Sequence, residues 1–85
     1  MRVIVPSHLR SYTGGESEVE SRGATLADVL LDLDSRFKGI RHRVVDEQDR
    51  IRPHVKFFVG GDEVEVLDAA VGEREVQIVA ALSGG

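Results

Sequence analysis

The sequence predicts a small α+β domain in which a mixed sheet of about four or five strands packs on one main helix. One segment carries apolar residues at helical spacing, and several short segments alternate between apolar and polar residues as strands do. The first and last of these strands are apolar on both faces, which favours the centre of the sheet for both. A chain of 85 residues has room for one such core.

The N-terminal segment predicts a β-hairpin. In RVIV (residues 2–5), Val3 and Val5 face one side and Ile4 faces the other. The residues TGGE (13–16) are typical of a turn with positive φ angles. The strand that follows alternates glutamate with small residues, so we expect it at an edge of the sheet, where charge discourages pairing with other chains.

The segment ATLADVLLDLDSRFKGI (24–40) predicts the main helix. Thr25 is a favourable N-cap and Asp28 lies in the first turn, at the positive end of the helix dipole. Gly39 favours the left-handed position after the last turn. The apolar side chains recur at helical spacing and form one face: Leu26, Val29, Leu30, Leu33 and Phe37.

Three further strands complete the predicted sheet. A polar loop with a short helical turn covers residues 41–53, and HVKFFV (54–59), EVEVLD (63–68) and VQIVAAL (76–82) follow as strands, the first two joined by a glycine turn. Alternation puts Ile4, Phe58 and Val79 on the face away from the helix. We expect these three to form an apolar partner-binding patch; the alternative is that the loop covers them or that they are isolated exposed residues.

Composition excludes several classes of function. The chain has no cysteine, so it has no disulfide and no thiolate nucleophile. A net charge of −4 argues against nucleic-acid binding, and no apolar stretch is long enough to span a membrane. The N-terminal segment lacks the pattern of a signal peptide, so we expect a cytoplasmic protein.

Two groups of residues are interpreted as ordinary surface residues without a role in binding or catalysis. The histidines His8, His42 and His54 have no metal-ligand spacing, and no metal site is expected. The basic cluster is interpreted as a solvated helix end and loop, with an acidic partner surface as the alternative: Arg36, Lys38, Arg41, His42 and Arg43.

The sequence closes on ALSGG (81–85). A glycine pair at a terminus is either a frayed end or a place where chemistry occurs on the backbone itself, because glycine contributes no side chain to a core. We expect a domain over residues 1–81 and a flexible tail over residues 82–85.

Four segments together carry a resemblance to a known family: PSHLRSYTGG, TLADVLLDL, HVKFFVGGDEV and VQIVAALSGG. The chain resembles ThiS/MoaD-type sulfur carriers, which have the ubiquitin-like β-grasp fold, and within these the CysO-like carriers of cysteine biosynthesis. The turn GERE (72–75), Ala80 and Ala81 in place of a proline, and Ser83 in place of an alanine depart from the usual pattern. These departures leave the chemistry of the glycine end intact and weaken assignment to one pathway.

The resemblance implies a carrier that is not itself an enzyme and binds no cofactor tightly. A ubiquitin-activating-type adenylating enzyme would use ATP to adenylate the carboxylate of Gly85, and a sulfur donor would convert it to a thiocarboxylate. Leu82, Ser83 and Gly84 would form the tail that enters the partner. The sulfur acceptor would be a cysteine-synthase-like enzyme, a thiazole synthase or a molybdopterin synthase subunit.

Two other functions remain open on the sequence. The chain could be a ubiquitin-like modifier conjugated to proteins through Gly85, or a β-grasp interaction module whose terminus has no chemical role. The oligomeric state, the pathway that accepts the sulfur, and whether Leu82 packs on the domain or enters the partner are also undetermined.

Overall fold

The computed structural model describes residues 1–80, in which a five-stranded mixed sheet packs on one main helix. The sheet order is β2-β1-β5-β3-β4, with β1 parallel to β5 and the other neighbours antiparallel. The strands are β1 (Arg2–Ile4), β2 (Glu18–Glu20), β3 (Val55–Val59), β4 (Asp62–Val64) and β5 (Val76–Ala80). The predicted class, the edge position of β2 and the adjacency of the first and last strands are confirmed.

The predicted positive φ angles in TGGE are confirmed at Gly14 and Gly15 (65° and 88°), but the connection between β1 and β2 is longer than the predicted hairpin turn. The two strands pair as expected, with Val3 opposite Val19, but a 3₁₀ helix (Ser7–Thr13) lies between them. Its Leu9 is only 1% exposed and packs in the core. Gly14, at φ 65°, ends the 3₁₀ helix and donates its N–H to the carbonyl of Arg10. Burial of Leu9 therefore fixes a connection that local turn residues do not specify.

The main helix begins where the sequence predicts. Helix α1 (Leu26–Arg36) is preceded by Thr25, whose side chain accepts from the backbone N–H of Asp28, while the Asp28 carboxylate accepts from the N–H of Thr25. This is a reciprocal capping box. The predicted apolar face is buried at Leu26, Val29, Leu30 and Leu33, and Phe37 is partly buried at the end of the helix.

The polar segment after α1 contains the predicted short helical turn, α2 (Ile40–Val44). Gly39 is left-handed, at φ 93°, and stands directly before α2 rather than at the end of α1. Ile40, Val44 and Val45 are buried, so this segment is attached to the core despite its many charges. The structure thus gives the basic residues of α2 a fixed position.

The glycine turn between β3 and β4 is confirmed. Gly60 and Gly61, at φ 59° and 90°, join the paired residues Val59 and Asp62 in a two-residue turn. β4 ends at Val64, earlier than predicted, and β5 is described as far as Ala80. Residues 81 and 82 of the predicted last strand, and the predicted boundary at 81/82, lie outside the described residues.

The core lies between α1 and one face of the sheet. It includes Val3, Val55, Phe57, Val59, Val76 and Ile78 from the strands, together with the apolar face of α1. Within residues 1–80, no helix has the length and apolarity needed to cross a membrane.

Candidate functional site

The face of the sheet opposite α1 brings the predicted patch residues together. Ile4 pairs with Gln77 from one side and Phe58 pairs with Gln77 from the other, so these three side chains form a row across the centre of the sheet. Val79 lies two residues further along β5, opposite Lys56. The prediction that Ile4, Phe58 and Val79 share the open face is therefore confirmed; we call these three residues the open-face patch.

The open-face patch is accessible to solvent in part. Val79 is 38% exposed, and Ile4 and Phe58 are half-buried. Their neighbours Val55, Phe57 and Val59 are buried on the other face, as alternation predicts. Gln77 was not included in the predicted patch, although the same alternation places it outward; its amide adds one polar group at the centre.

Ion pairs flank the open-face patch at two of its edges. Arg2 lies 2.7 Å from Glu75 and 3.7 Å from Glu18, and its hydrogen bond to Glu75 raises the pKa of the Arg2 guanidinium. On the β3–β4 side, Lys56 lies 3.9 Å from Glu63. These pairs are largely exposed and contribute little stability. Together they surround a largely apolar centre, which also holds the Gln77 amide, with a charged rim, and a polar rim around an apolar core is common in protein interfaces.

The last described residue of β5 lies beside the open-face patch. Ala80, the last described residue, pairs with Val55 and directly follows Val79. The predicted tail residues Leu82, Ser83 and Gly84 and the predicted reactive residue Gly85 lie outside the described residues. The structure establishes that β5, a central strand, is described as far as Ala80, which lies at the end of the sheet where β3 begins.

One group of residues was missed as a unit by sequence reasoning. His8, His42 and His54, which have no metal-ligand spacing in the sequence, line one surface pocket together with Arg43 and Arg52. No short motif signals this group, because its members come from three separate segments of the chain. Among residues 1–80, no three histidine, aspartate or glutamate side chains are placed to hold a metal ion.

The amino-acid sequence of this chain is similar to that of curated sulfur carrier proteins. No protein-family model matches the chain. The sulfur carrier protein CysO of Mycobacterium tuberculosis is 33% identical over 89 aligned positions, which cover 98% of this chain and 96% of that protein. This chain belongs to the CysO-type sulfur-carrier family. The predicted resemblance to ThiS/MoaD-type carriers, and to their CysO-like branch, is confirmed.

Solved structures agree with this assignment. The crystal structure of M. tuberculosis CysO matches with a TM-score of 0.89 and 30% identity, covering 95% of this CysO-like chain and 98% of that one. A chain of the Amycolatopsis orientalis BexX/CysO complex matches with a TM-score of 0.90 and 34% identity, at 99% and 98% coverage. SAMP1 of Haloferax volcanii has a TM-score of 0.77 at 23% identity, covering 100% and 98%, and supports the fold alone.

The comparisons confirm two predictions. The fold of this CysO-like chain is the ubiquitin-like β-grasp, and its function is that of a sulfur carrier. Its relatives are named as carrier proteins, and one was crystallised in a complex with BexX.

Proposed function

We propose that this CysO-like chain carries sulfur as a thiocarboxylate on Gly85 and delivers it for cysteine biosynthesis. The observation that supports the proposal is 33% identity with CysO over nearly the whole length of both proteins, together with a glycine pair at the end of the sequence. The CysO relationship favours cysteine biosynthesis over the molybdopterin and thiamine pathways that related carriers serve.

The chemistry requires activation by a partner. A C-terminal carboxyl has a pKa near 3.5, so at neutral pH it is an anion and a poor electrophile. In the proposed reaction, a carboxylate oxygen of Gly85 attacks the α-phosphorus of ATP and pyrophosphate leaves, which forms an acyl-adenylate. Sulfide then attacks the carbonyl carbon and AMP leaves; with a persulfide donor the same attack forms an acyl disulfide, which a thiol reductant must cleave to release the thiocarboxylate. The product is the thiocarboxylate.

The tail residues fit this role by their size. Gly84 and Gly85 have no Cβ, so the backbone can pass through a narrow channel to a buried active site. The five residues that follow Ala80 span at most about 18 Å when extended. We propose that Leu82 and Ser83 line the entrance of that channel while the domain stays outside.

The domain itself acts as a docking unit in this proposal and supplies no catalytic group. ATP and the sulfur donor are used by the adenylating enzyme, and the carrier holds no tightly bound cofactor. Since adenylation consumes ATP, we propose that the carrier works in the cytoplasm. A cysteine-synthase-like enzyme is the proposed sulfur acceptor.

The open-face patch is the proposed docking surface for the adenylating enzyme. Its position directly beside the departing tail supports this role, because a partner that takes the tail must approach the same end of the sheet. The BexX/CysO complex of a relative supports the general idea that such carriers work through partner proteins.

The proposal is tested by loading the carrier. The full chain is incubated with an adenylating enzyme of the ubiquitin-activating type, ATP and sodium sulfide, and its intact mass is measured. We expect a mass gain equal to the exchange of one oxygen for sulfur. Deletion of Gly84 and Gly85 should abolish the gain, whereas Ser83→Ala, which keeps both glycines, should preserve it.

Other outcomes identify the other functions. Higher-mass protein conjugates that need Gly85, formed without any thiocarboxylate, would favour a protein modifier. Cells that produce only the chain lacking Gly84 and Gly85 can be compared, without added cysteine, with cells that produce the intact chain. Equal growth would mean that the terminus has no chemical role and that the proposal is wrong.

A further inference from the structure

A pocket lined by basic and imidazole side chains lies near Ala80, the last described residue of β5. Its volume is about 410 Å³. It is assembled from the 3₁₀ helix, from α2 and from the segment that leads into β3. Besides the buried Leu9, its lining residues are His8, His42, Arg43, Arg52 and His54, which we call the basic pocket.

The two arginines of the basic pocket make no salt bridge within the described part of the chain. Elsewhere in residues 1–80, arginines such as Arg2, Arg36 and Arg50 lie within 4.0 Å of an aspartate or glutamate oxygen. No such contact is made by Arg43 or Arg52 in the described part of the chain, and no aspartate or glutamate lines the pocket.

Internal contacts hold part of the basic pocket in place. Arg52 Nε donates to the carbonyl of His42 at 2.8 Å, and Arg52 Nη2 lies 3.4 Å from His42 Nε2. One carboxylate approaches this ring: Glu47 Oε1 lies 3.9 Å from His42 Nε2, although Glu47 does not line the pocket. Arg43, by contrast, is exposed and makes no side-chain hydrogen bond within residues 1–80. It is available to an incoming group.

The chemistry of these side chains selects an anion. Guanidinium groups present paired N–H donors that match a carboxylate or a phosphate, and neighbouring imidazole N–H groups can add further donors. Two arginines in the lining disfavour a metal cation, which fits the lack of a three-ligand group among residues 1–80.

The position of the basic pocket favours a carboxylate over a phosphate. His54 directly precedes Val55, which pairs with Ala80, so the pocket borders the end of the sheet where the tail departs. With Gly85 in an active site, the nucleotide would lie up to about 18 Å beyond Ala80. With the tail extended, the ATP phosphates would lie farther from the pocket than the enzyme surface at the mouth of the channel does. A carboxylate on the enzyme surface, at the mouth of the tail channel, is within reach.

We propose that the basic pocket docks aspartate or glutamate side chains of the adenylating enzyme at the mouth of the channel that takes the tail. This inference rests on the proposed function above. The pocket and the open-face patch then contact the enzyme together: the patch supplies apolar contact, and the pocket supplies charge complementarity that speeds association and sets orientation.

The test compares two charge reversals. Arg43→Glu changes the pocket, and Arg22→Glu makes the same change at an exposed arginine that follows β2, at the opposite end of the sheet from Ala80. The rate of ATP–pyrophosphate exchange is measured against carrier concentration at low and high salt. We expect Arg43→Glu to raise KM for the carrier about tenfold at low salt, and less at high salt, with kcat and the KM for ATP unchanged. Arg22→Glu should leave all three unchanged.

Three results would overturn the inference. Equal effects of Arg43→Glu and Arg22→Glu would mean that only net charge matters, and an unchanged KM in both would mean that the pocket is not used. A raised KM for ATP would instead indicate contact with nucleotide phosphate. Circular dichroism of each variant excludes unfolding as the cause.

A binding experiment without the enzyme separates this inference from the proposed function. If the wild-type chain is never adenylated, the proposed function is wrong. NMR titration of the chain with hexaglutamate peptide tests anion binding at the basic pocket independently of that result. The peptide should shift the ring C–H resonances of His8, His42 and His54 in the wild type and not in Arg43→Glu. Unshifted resonances in the wild type would contradict anion binding at the pocket.

Discussion

At the scale of single residues, a buried serine joins β2 to α1. Ser21 is 7% exposed, and its hydroxyl donates to the carboxylate of Asp32 at 2.7 Å. That hydrogen bond lowers the pKa of Asp32, with further help from Arg36 at 2.9 Å and the backbone N–H of Arg22. The charged form of Asp32 is therefore favoured in the folded state, and Asp32 contributes to stability when it is ionised.

The effect of Ser21→Ala on the free energy of unfolding should depend on pH. Because the folded-state pKa of Asp32 is lowered, its contribution is complete above the ordinary carboxyl pKa of about 4 and is lost as the pH falls through the lowered value. We expect Ser21→Ala to cost about 1 kcal/mol of unfolding free energy at pH 7. The difference from wild type should shrink below about pH 4, as measured by urea denaturation at several pH values.

Ser35→Ala is the matched control for this prediction. The Ser35 hydroxyl donates to the backbone carbonyl of Asp32 and not to its carboxylate. Its effect on stability should therefore not vary with pH. A Ser21→Ala effect that is equally independent of pH would mean that the hydrogen bond to the Asp32 carboxylate is not its cause.

At the scale of elements, α1 is the part of the fold that local sequence determines most fully. Thr25 and Asp28 satisfy each other's backbone N–H groups across three positions, and glycines at 60 and 61 define a two-residue turn. Both features depend on residues that are close in sequence, so they could be predicted. The 3₁₀ helix at Ser7–Thr13 could not, because it depends on burial of Leu9 in a core built from distant segments.

Thr25→Ala should weaken the start of α1. Loss of the hydroxyl leaves the backbone N–H of Asp28 without its acceptor, and such caps contribute about 1 kcal/mol. Urea denaturation should show a lower midpoint with an unchanged m-value. Thr25→Ser keeps the hydroxyl and should stay close to wild type. If both substitutions reduce stability equally, the methyl group of Thr25 and not the cap is responsible.

At the scale of the whole molecule, the two surfaces that we assign to the partner lie near the end of the sheet where β5 is last described. The open-face patch could be predicted from alternation along three strands, since each strand has a period of two. The basic pocket could not, because His8, His42 and His54 meet only after three segments fold together. Its charge was visible in the sequence only as an isolated cluster around α2.

Phe58→Asp tests the open-face patch. The side chain is half-buried on the open face, so the substitution should leave the domain folded while it raises the dissociation constant for the adenylating enzyme about tenfold or more. Phe57→Asp, on the buried face of the same strand, should unfold the domain.

Val66→Asp provides the surface control for this comparison. Val66 is 57% exposed and lies beyond the end of β4. The substitution Val66→Asp therefore makes the same apolar-to-acidic change at a position outside the patch. The Val66→Asp variant should bind the adenylating enzyme with the same affinity as the wild-type chain. If Phe58→Asp melts the domain, or binds the enzyme as tightly as Val66→Asp does, the open face is not the docking surface.

The central claim is that Gly85 carries the sulfur, and its most direct test is fragmentation of the loaded chain in a mass spectrometer. The full protein is loaded with isotopically labelled sulfide in the presence of the adenylating enzyme and ATP, and then fragmented intact. We predict that the label is found only in C-terminal fragments, down to those that contain Gly85 alone. Label elsewhere in the chain, or ATP-dependent loading that survives deletion of Gly84 and Gly85, would contradict the account.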